Sequence, residues 1–546
     1  MMPRSFLGAC WAATMAASAV AAVVQTAPAA KVTGGEIRGY LAGPGAVFKA
    51  IPFAEAPVGA LRWREPQPVK PWSGARDATR YSAACVQNPI GTAVFLAPLA
   101  RRYGATYPTP RWDLSEDCLY LNIWTPEWPV KEPRAVMLWL HGGSNRIGSG
   151  SEPGYDGGSL AKRGVVVVTV NYRLGALGFF AHPELTRESP HRSSGNYGLL
   201  DQIAALGWVR DNIAQFGGDA GRVTVFGESA GAIDAGMLLC SPPARGLFTR
   251  AIMESGPVLG LAYAHGLRQA EQFGERVAKL ALGAQGGEAS LQRLRGLPAA
   301  SILAAAAQAG KQEPDPGFVM DGWVLPRTPQ AVFATGSQQP VSLIVGNNGR
   351  EMSAFRAASS APLAVDSGPK KTLRIIYGSM APMAMAAYAI DMHMGRTAAA
   401  DEWLNDALMT CPSEAMANLN AAVGGVSFVY QFRRSVPGKG ESDLGSFHSL
   451  ELPYVFGAIG SSIWGWLPFE KADQDLATAM ESYWTNFAKS GNPNGAGLAP
   501  WGSYSAGAER YMEFGNDGKA HPRQGGRPTF CSLDIPKLKQ RLLDNQ

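Results

Sequence analysis

The sequence predicts an α/β fold with a mostly parallel central sheet flanked by helices. Three observations predict it. Residues 223–226 read Val-Thr-Val-Phe, a β-branched and aromatic run that breaks off in Gly-Glu-Ser-Ala-Gly231. A helical, apolar stretch follows over 230–239, so the order is strand, tight turn, helix. Residues 164–170 form a continuous valine-rich run, as expected of a parallel strand buried on both faces. Strand-like runs at 135–140, 251–253 and 341–345 alternate with helical spacing, clearest over 199–216.

In such a fold, ligands belong at the carboxyl ends of the strands. His141-Gly-Gly143, Ser229 and Gly346-Asn-Asn-Gly-Arg-Glu351 all follow strand ends. Ser229 stands at the corner that exposes a nucleophile. With 64 glycines in 546 residues the bare G-x-S-x-G pattern is weak, and its strand–helix setting carries the reading. Gly227 and Gly231 stand where a Cβ would crowd the approach of strand and helix. The helix N-terminus aims backbone N–H groups and a positive partial charge at Ser229 Oγ.

Hydrophobic residues are 46% and charged residues 17%, which suits a globular chain and excludes a disordered one. The net charge is +5 with no block of like charges, so nothing marks a nucleic-acid partner. No tandem repeat or long linker is visible, so one large domain is expected over 31–546. Residues 1–30 read as a signal peptide: Arg4 precedes an apolar run over 6–24, and Ala27-Pro-Ala29 is an A-x-A-like cleavage site near 29. The rival is a retained anchor, since about twenty apolar residues just span a bilayer. Cys10 only faintly resembles a lipoprotein box. The chain is expected in a secreted or periplasmic location, with no stable membrane partner after cleavage. No transmembrane stalk is seen before Gln546.

Export allows disulfides. Cys85, Cys118, Cys240, Cys411 and Cys531 are five, so one stays free or pairs outside the chain, and spacing alone chooses no partners. There is no C-x-x-C and no H-E-x-x-H, so no metal site and no cofactor are expected. The stretches 291–309 and 381–409 look helical and alanine-rich. The methionines of the second read as core filler rather than pocket lining.

Ordered motifs then carry a resemblance over nearly all of the chain beyond the signal. They include Ile51-Pro-Phe-Ala, Leu61-Arg-Trp, Pro71-Trp, Ser115-Glu-Asp-Cys-Leu-Tyr-Leu-Asn122, Asn171-Tyr-Arg-Leu-Gly175 and Gly195-Asn-Tyr-Gly-Leu-Leu-Asp201. Phe216-Gly-Gly-Asp219, Met320-Asp-Gly322, Glu451-Leu-Pro-Tyr-Val-Phe456, Tyr483-Trp-Thr-Asn-Phe-Ala488 and Gly491-Asn-Pro-Asn494 follow. The chain resembles the type B carboxylesterases, which include the cholinesterases. The resemblance implies the α/β-hydrolase fold, with helical insertions over the active site, and a Ser-Glu-His triad in that chain order. Carried over, the nucleophile is Ser229, the acid Glu351 and the base His448. The oxyanion donors fall on the N–H groups of Gly143, Ser144 and Ala230. Cys85 matches Cys118 and Cys411 matches Cys531 as disulfides, leaving Cys240 as the odd thiol.

The chemistry needs these types. Serine is a poor nucleophile at neutral pH and requires an adjacent base. The carboxylate fixes the imidazole tautomer and stabilises the imidazolium, and fixed N–H donors stabilise the oxyanion. The implied activity is cleavage of small-molecule carboxylic esters. A lipase, amidase or carbamate hydrolase uses the same triad. A non-catalytic, cholinesterase-like binding protein is the rival from another class, and the filled triad positions speak against it.

Seven histidines are present. His182, His191, His265, His393 and His521 sit in no motif, and His141 is expected to shape the glycine loop. Asp321 and Glu228 are rivals of Glu351 for the acid, and Glu228 could act on the imidazolium from outside the triad. The loop His141-Gly-Gly-Ser-Asn-Arg146 departs from the family's three glycines and an aromatic. That makes Asn145 and Arg146 candidate substrate contacts, and Glu228, next to the nucleophile, is a third. Arg350, Arg101 and Arg102 add positive charge near the site, either to recognise an anionic ester or to pair with acids. In lipase relatives the Cys85–Cys118 loop, here with Phe95, Leu96 and Leu99, is a lid.

Overall fold

The computed structural model describes residues 27–109, 111–261, 264–283, 291–313, 315–359, 382, 396–525 and 531. Its main sheet contains β1 (Tyr40–Ala42), β2 (Gly45–Pro52), β3 (Tyr120–Thr125), β4 (Arg134–Leu140), β5 (Val166–Val170) and β6 (Gly218–Glu228). It continues with β7 (Arg250–Glu254), β8 (Ser342–Asn348), β9 (Ser427–Phe432), β10 (Arg510–Phe514) and β11 (Ala520–Gln524). The spatial order of these eleven strands is β11-β10-β9-β8-β7-β6-β4-β5-β3-β2-β1. Every neighbour pair from β5 through β10 is parallel, and both flanks are antiparallel. A smaller sheet joins Ala29–Val32, Gly35–Arg38 and Ala75–Asp77.

The period of two along each central strand divides its side chains between two cores. Val136, Leu138 and Leu140 of β4 join one apolar cluster, and Ala135, Met137 and Trp139 join the other. On β8, Leu343 and Val345 face the first cluster and Ile344 the second. Burying a valine or leucine contributes about 1.5–3 kcal/mol, which explains why these strands are apolar at successive positions.

Helices cover both faces. In chain order, α1 (Ala93–Arg102) lies inside the Cys85–Cys118 loop, and α2 (Tyr197–Asn212) and α3 (Ala230–Cys240) pack on the first cluster. The short α4 (Glu351–Ala358) follows β8, and α5 (Lys471–Ser490) packs on the second cluster through Leu476, Met480, Trp484 and Phe487. The ends of α5 are written in its residues. Glu470 and Asp473 form a reciprocal capping box, and Gly491 ends the helix at φ 77° with its N–H on Phe487 O at 2.7 Å.

The expected strands are present, with shifted ends. β5 starts at Val166 because Gly164, at φ 85°, still belongs to the preceding turn. The 291–309 stretch is two helices, Leu291–Gly296 and Ala299–Ala309, since Pro298 cannot continue the first. Residues 381 and 383–395 lie outside the described residues, but Arg396–Asn405 is helical and Met409 is buried core. Residues 1–26 also lie outside them. Disulfides join Cys85 to Cys118 and Cys411 to Cys531, and Cys240 is a buried free thiol.

Candidate active site

The chain leaves β6 and enters α3 through Ser229, whose backbone is at φ 54° and ψ −122°. That conformation is strained for a residue with a side chain and persists only when its surroundings enforce it. The Ser229 N–H donates to Glu254 O on β7 at 2.8 Å, and Ser229 O accepts the first helical bond from Ile233 at 3.0 Å. A Cβ on Gly231 would lie 2.0 Å from Leu140 O, and one on Gly227 would lie 2.5 Å from the Gly231 carbonyl carbon. Both obstacles are backbone, so no rotamer relieves them. Ala230 is the first helical residue, and its N–H has no intrahelical partner.

The loop after β4 approaches the same point. Gly143, Ser144 and Asn145 have φ of 105°, 57° and 54°. Gly143 O accepts from Arg146 and Ile147, Asn145 O accepts from Gly175 at 2.6 Å, and the N–H groups of Gly143 and Ser144 donate to nothing among the described residues. His141 stacks on Tyr172 at 4.3 Å, and the Tyr172 hydroxyl donates to His141 O at 2.6 Å. A Cβ on Gly142 would meet Glu228 Oε2 at 2.7 Å and Ser229 Cβ at 3.3 Å, so the loop lies directly against the elbow.

Glu351 opens α4. Its Oε1 accepts from the Asn348 N–H at 2.6 Å, and Asn405 ties the segment by bonds to Glu351 N–H (3.3 Å) and Asn348 O (3.0 Å). Its Oε2 lies 2.5 Å from His448 Nδ1. The other imidazole nitrogen, Nε2, lies 3.1 Å from Glu228 Oε1, which also accepts from the Ser449 hydroxyl at 2.6 Å. Burial alone would lower the His448 pKa, but the charges of Glu228 and Glu351 outweigh it and push it up to about 9. No hydrogen bond joins Ser229 Oγ to the imidazole in this structure, and Glu228 takes that side of the ring. Phe355 packs on the ring at 4.8 Å and Phe95 of α1 at 6.0 Å.

Two further carboxyls lie behind the site. Glu451 accepts from Ser255 Oγ at 3.0 Å and from the Asn348 side chain, and burial beside Glu228 and Glu351 pushes it up to about 8. Glu254 accepts from Trp484 Nε1 at 2.8 Å, and burial holds its carboxyl well above the usual range. Sequence reading passed over both. Glu451 stood only as part of a motif, and nothing in the local sequence marks Glu254.

Gly142, Gly143, Ser144, Glu228, Ser229 and His448 line one cavity of about 110 Å³. It is also lined by Thr92, Tyr107, Glu152 and Trp464, which no motif announces because they come from separate stretches. Phe95 and Leu96 also line it, while Leu99 is fully buried under α1. The other candidates sit elsewhere. Asn145 turns inward, donating to buried Asp234 at 2.8 Å. Arg146 is exposed on an adjoining groove and pairs with Asp315 at 3.2 Å. Arg350 bonds Ser442 O at 3.0 Å, and Arg102 pairs with Asp443 at 3.2 Å. Neither they nor Arg101 line the cavity that holds Ser229. Asp321 is spent on the N–H groups of Trp323 and Leu325, both at 3.0 Å. His182 accepts from Glu184 N–H, His191 stacks on Trp323, His265 lines the Arg146 groove and His521 pairs with Asp517. His393 lies outside the described residues.

Among the described residues, no group of three or more His, Cys, Asp or Glu side chains is arranged to hold a metal ion. No described helix is long and apolar enough to cross a membrane. A hydroxyl at a strained corner, free N–H donors beside it and a carboxylate-held imidazole are the parts that acyl transfer requires.

Comparison with known proteins points the same way. The family model described as the carboxylesterase family matches residues 21–531. The chain is 37% identical over 477 residues to the fumonisin B1 esterase of Sphingopyxis macrogoltabida, covering 86% of this chain and 83% of that protein. It is 35% identical over 526 residues to the human cocaine esterase, covering 91% and 88%. Among solved structures, a PNB esterase superposes with a TM-score of 0.77 at 31% identity, covering 95% of this chain and 99% of that one. A carboxylesterase of Geobacillus stearothermophilus at pH 6.2 gives 0.77 at 31% identity, covering 92% and 99%. The chain belongs to the carboxylesterase family and is a carboxylic ester hydrolase.

Proposed function

We propose that the chain cleaves esters of small molecules through an acyl-enzyme on Ser229, with His448 as general base and Glu351 as its orienting acid. The observation that carries this reading is the 2.5 Å contact of His448 Nδ1 with Glu351 Oε2, in a cavity shared with Ser229. Ser229 Oγ attacks the carbonyl carbon while its proton passes to His448 Nε2. The carbonyl oxygen becomes an oxyanion facing the N–H groups of Gly143, Ser144 and Ala230. The imidazolium then gives its proton to the departing alcohol. Water repeats the sequence on the acyl carbon, releasing the acid and restoring Ser229. Covalent labelling with a fluorophosphonate and peptide mass mapping test this. Label is expected on Ser229 and is expected to be lost in His448→Ala. Folded wild-type protein that takes up no label would sink the reading and favour a binding role.

Glu228 sets the resting state of the base. A protonated His448 bridges Glu228 and Glu351 and cannot accept the serine proton. Once neutral, with its Nδ1–H donating to Glu351, the ring presents a lone pair at Nε2. That lone pair is repelled by Glu228 and accepts from Ser229 Oγ. Activity therefore rises with pH as His448 loses its proton, and kcat/KM is expected to level off only above about pH 9. Glu228→Gln removes one charge that holds the proton, and the midpoint is expected to fall by about 1–3 pH units. A pH profile with its midpoint near the ordinary histidine value in both proteins would contradict this.

The chain is further proposed to be exported as a single domain from about residue 31, to the periplasm or the medium. The apolar run after Arg4 and two disulfides support this, since disulfides persist in oxidising compartments. N-terminal sequencing of the mature protein checks it, with a first residue near position 30 expected.

A further inference from the structure

Part of the lining of the Ser229 cavity carries buried polar atoms that complete no hydrogen bond within the protein. Glu152, Tyr107 and Trp464 are only 7%, 3% and 3% exposed and all line the cavity that holds Ser229 and His448. Glu152 Oε2 accepts from the Thr92 hydroxyl at 3.1 Å, but Glu152 Oε1, the Tyr107 hydroxyl and Trp464 Nε1 have no hydrogen-bond partner. The Tyr107 hydroxyl faces Thr92 without completing a bond. The three belong to one patch. The tight turn Pro153–Tyr155 follows Glu152 directly, and Trp464 Nε1 comes within 3.3 Å of where a Gly154 Cβ would stand. Native interiors leave few such groups dry, and those facing a ligand cavity are spent on the ligand.

We propose that this wall makes the enzyme selective for esters that carry a hydroxyl group on the part of the substrate lying against it. The inference rests on the proposed ester cleavage at Ser229. A hydroxyl offers one donor and two acceptor lone pairs. It exchanges hydrogen bonds with the neutral Glu152 carboxyl and the Tyr107 hydroxyl, which both donate and accept, and it accepts from the Trp464 N–H, which can only donate. An ammonium cannot accept from Trp464. A carboxylate would bring a full charge to a wall that offers no cation to pair with it. An alkyl group leaves all three atoms dry. Burial pushes the Glu152 carboxyl up to about 8, so near neutral pH it is chiefly a neutral acid and bonds a hydroxyl without stranding a charge.

The test compares kcat/KM for matched esters on one preparation. The acyl arm sets p-nitrophenyl 3-hydroxybutyrate against p-nitrophenyl butyrate. The alcohol arm sets 2-hydroxyethyl butyrate against ethyl butyrate. The ratio within an arm cancels the concentration of active enzyme, so partial misfolding of a variant does not imitate an effect. Wild type is expected to prefer the hydroxylated ester by about tenfold or more in one arm. That ratio is expected to collapse in Trp464→Phe, which removes only the N–H, and in Glu152→Leu. A preference below about tenfold in both arms, or one that survives both variants, overturns the inference while ester cleavage stands. Failure to hydrolyse any of the four esters, with no fluorophosphonate label on Ser229, overturns both.

Discussion

Replacing Ser229 with alanine is expected to lower kcat by a factor of about 10⁵ to 10⁶. The reason is local. The φ of 54° at residue 229 and the close glycines at 227 and 231 exist to present one oxygen into the cavity. Alanine keeps the corner and removes that oxygen. What remains is the set of N–H donors, which still polarise a bound carbonyl, so a residual rate above water is expected. The nucleophile and its base act as a unit, so the Ser229→Ala, His448→Ala double variant should be no slower than either single one. Steady-state kinetics on protein shown to be folded by circular dichroism decide this. A loss below about tenfold would mean that Ser229 is not the nucleophile.

Glu351→Gln is expected to lower kcat by about 10⁴ with little change in fold. The geometry gives the direction. Glu351 Oε1 accepts from the Asn348 N–H at 2.6 Å, so a glutamine must place its carbonyl oxygen there. Its NH₂ then faces His448 Nδ1, the position now held by Oε2 at 2.5 Å. An NH₂ donates, so Nδ1 must become the acceptor and the ring proton moves to Nε2. In that tautomer Nε2 has no lone pair for the serine proton, and the imidazolium loses its counter-charge. The pH profile separates this from a mere loss of stability. The midpoint for the residual activity should fall, because one of the charges holding the His448 proton has gone. An unchanged rate would remove Glu351 from the triad and leave Glu228 as the carboxylate in contact with the ring.

Much of the fold was legible because its central strands are buried on both faces. β4, β5 and β6 read as continuous apolar runs, and each of their side chains enters one core or the other. The outer strands were not legible. β10, Arg510–Phe514, is half exposed, and β11, Ala520–Gln524, contains a proline and three exposed residues, so neither has the composition of a buried strand. The helical character of 291–309 was legible from its alanines, and Pro298 divides it into two helices. At the candidate site, Ser229, Glu351 and His448 stand out in the sequence because strand ends and family motifs mark them, and the structure brings all three to one cavity or its contacts. Arg146 and Arg350 were noticed for their charge, and the structure occupies both with acids or carbonyls away from the cavity. Glu254 and the wall of Tyr107, Glu152 and Trp464 carried no local signal.

By itself the sequence determined the parallel α/β architecture, the corner at Ser229, the glycines that let strand and helix close on each other, and the family to which the chain belongs. These follow from periodicity, composition and short-range sterics, which are properties of neighbouring residues. Only the tertiary structure decided that Glu228 takes Nε2 of His448, that several buried carboxyls lie together behind it, and that Tyr107, Glu152 and Trp464 line the cavity of Ser229. Those outcomes depend on residues hundreds of positions apart meeting at a few ångströms. At that range burial and Coulomb forces, rather than residue type, set which groups hold protons and which hydrogen bonds are left for a ligand.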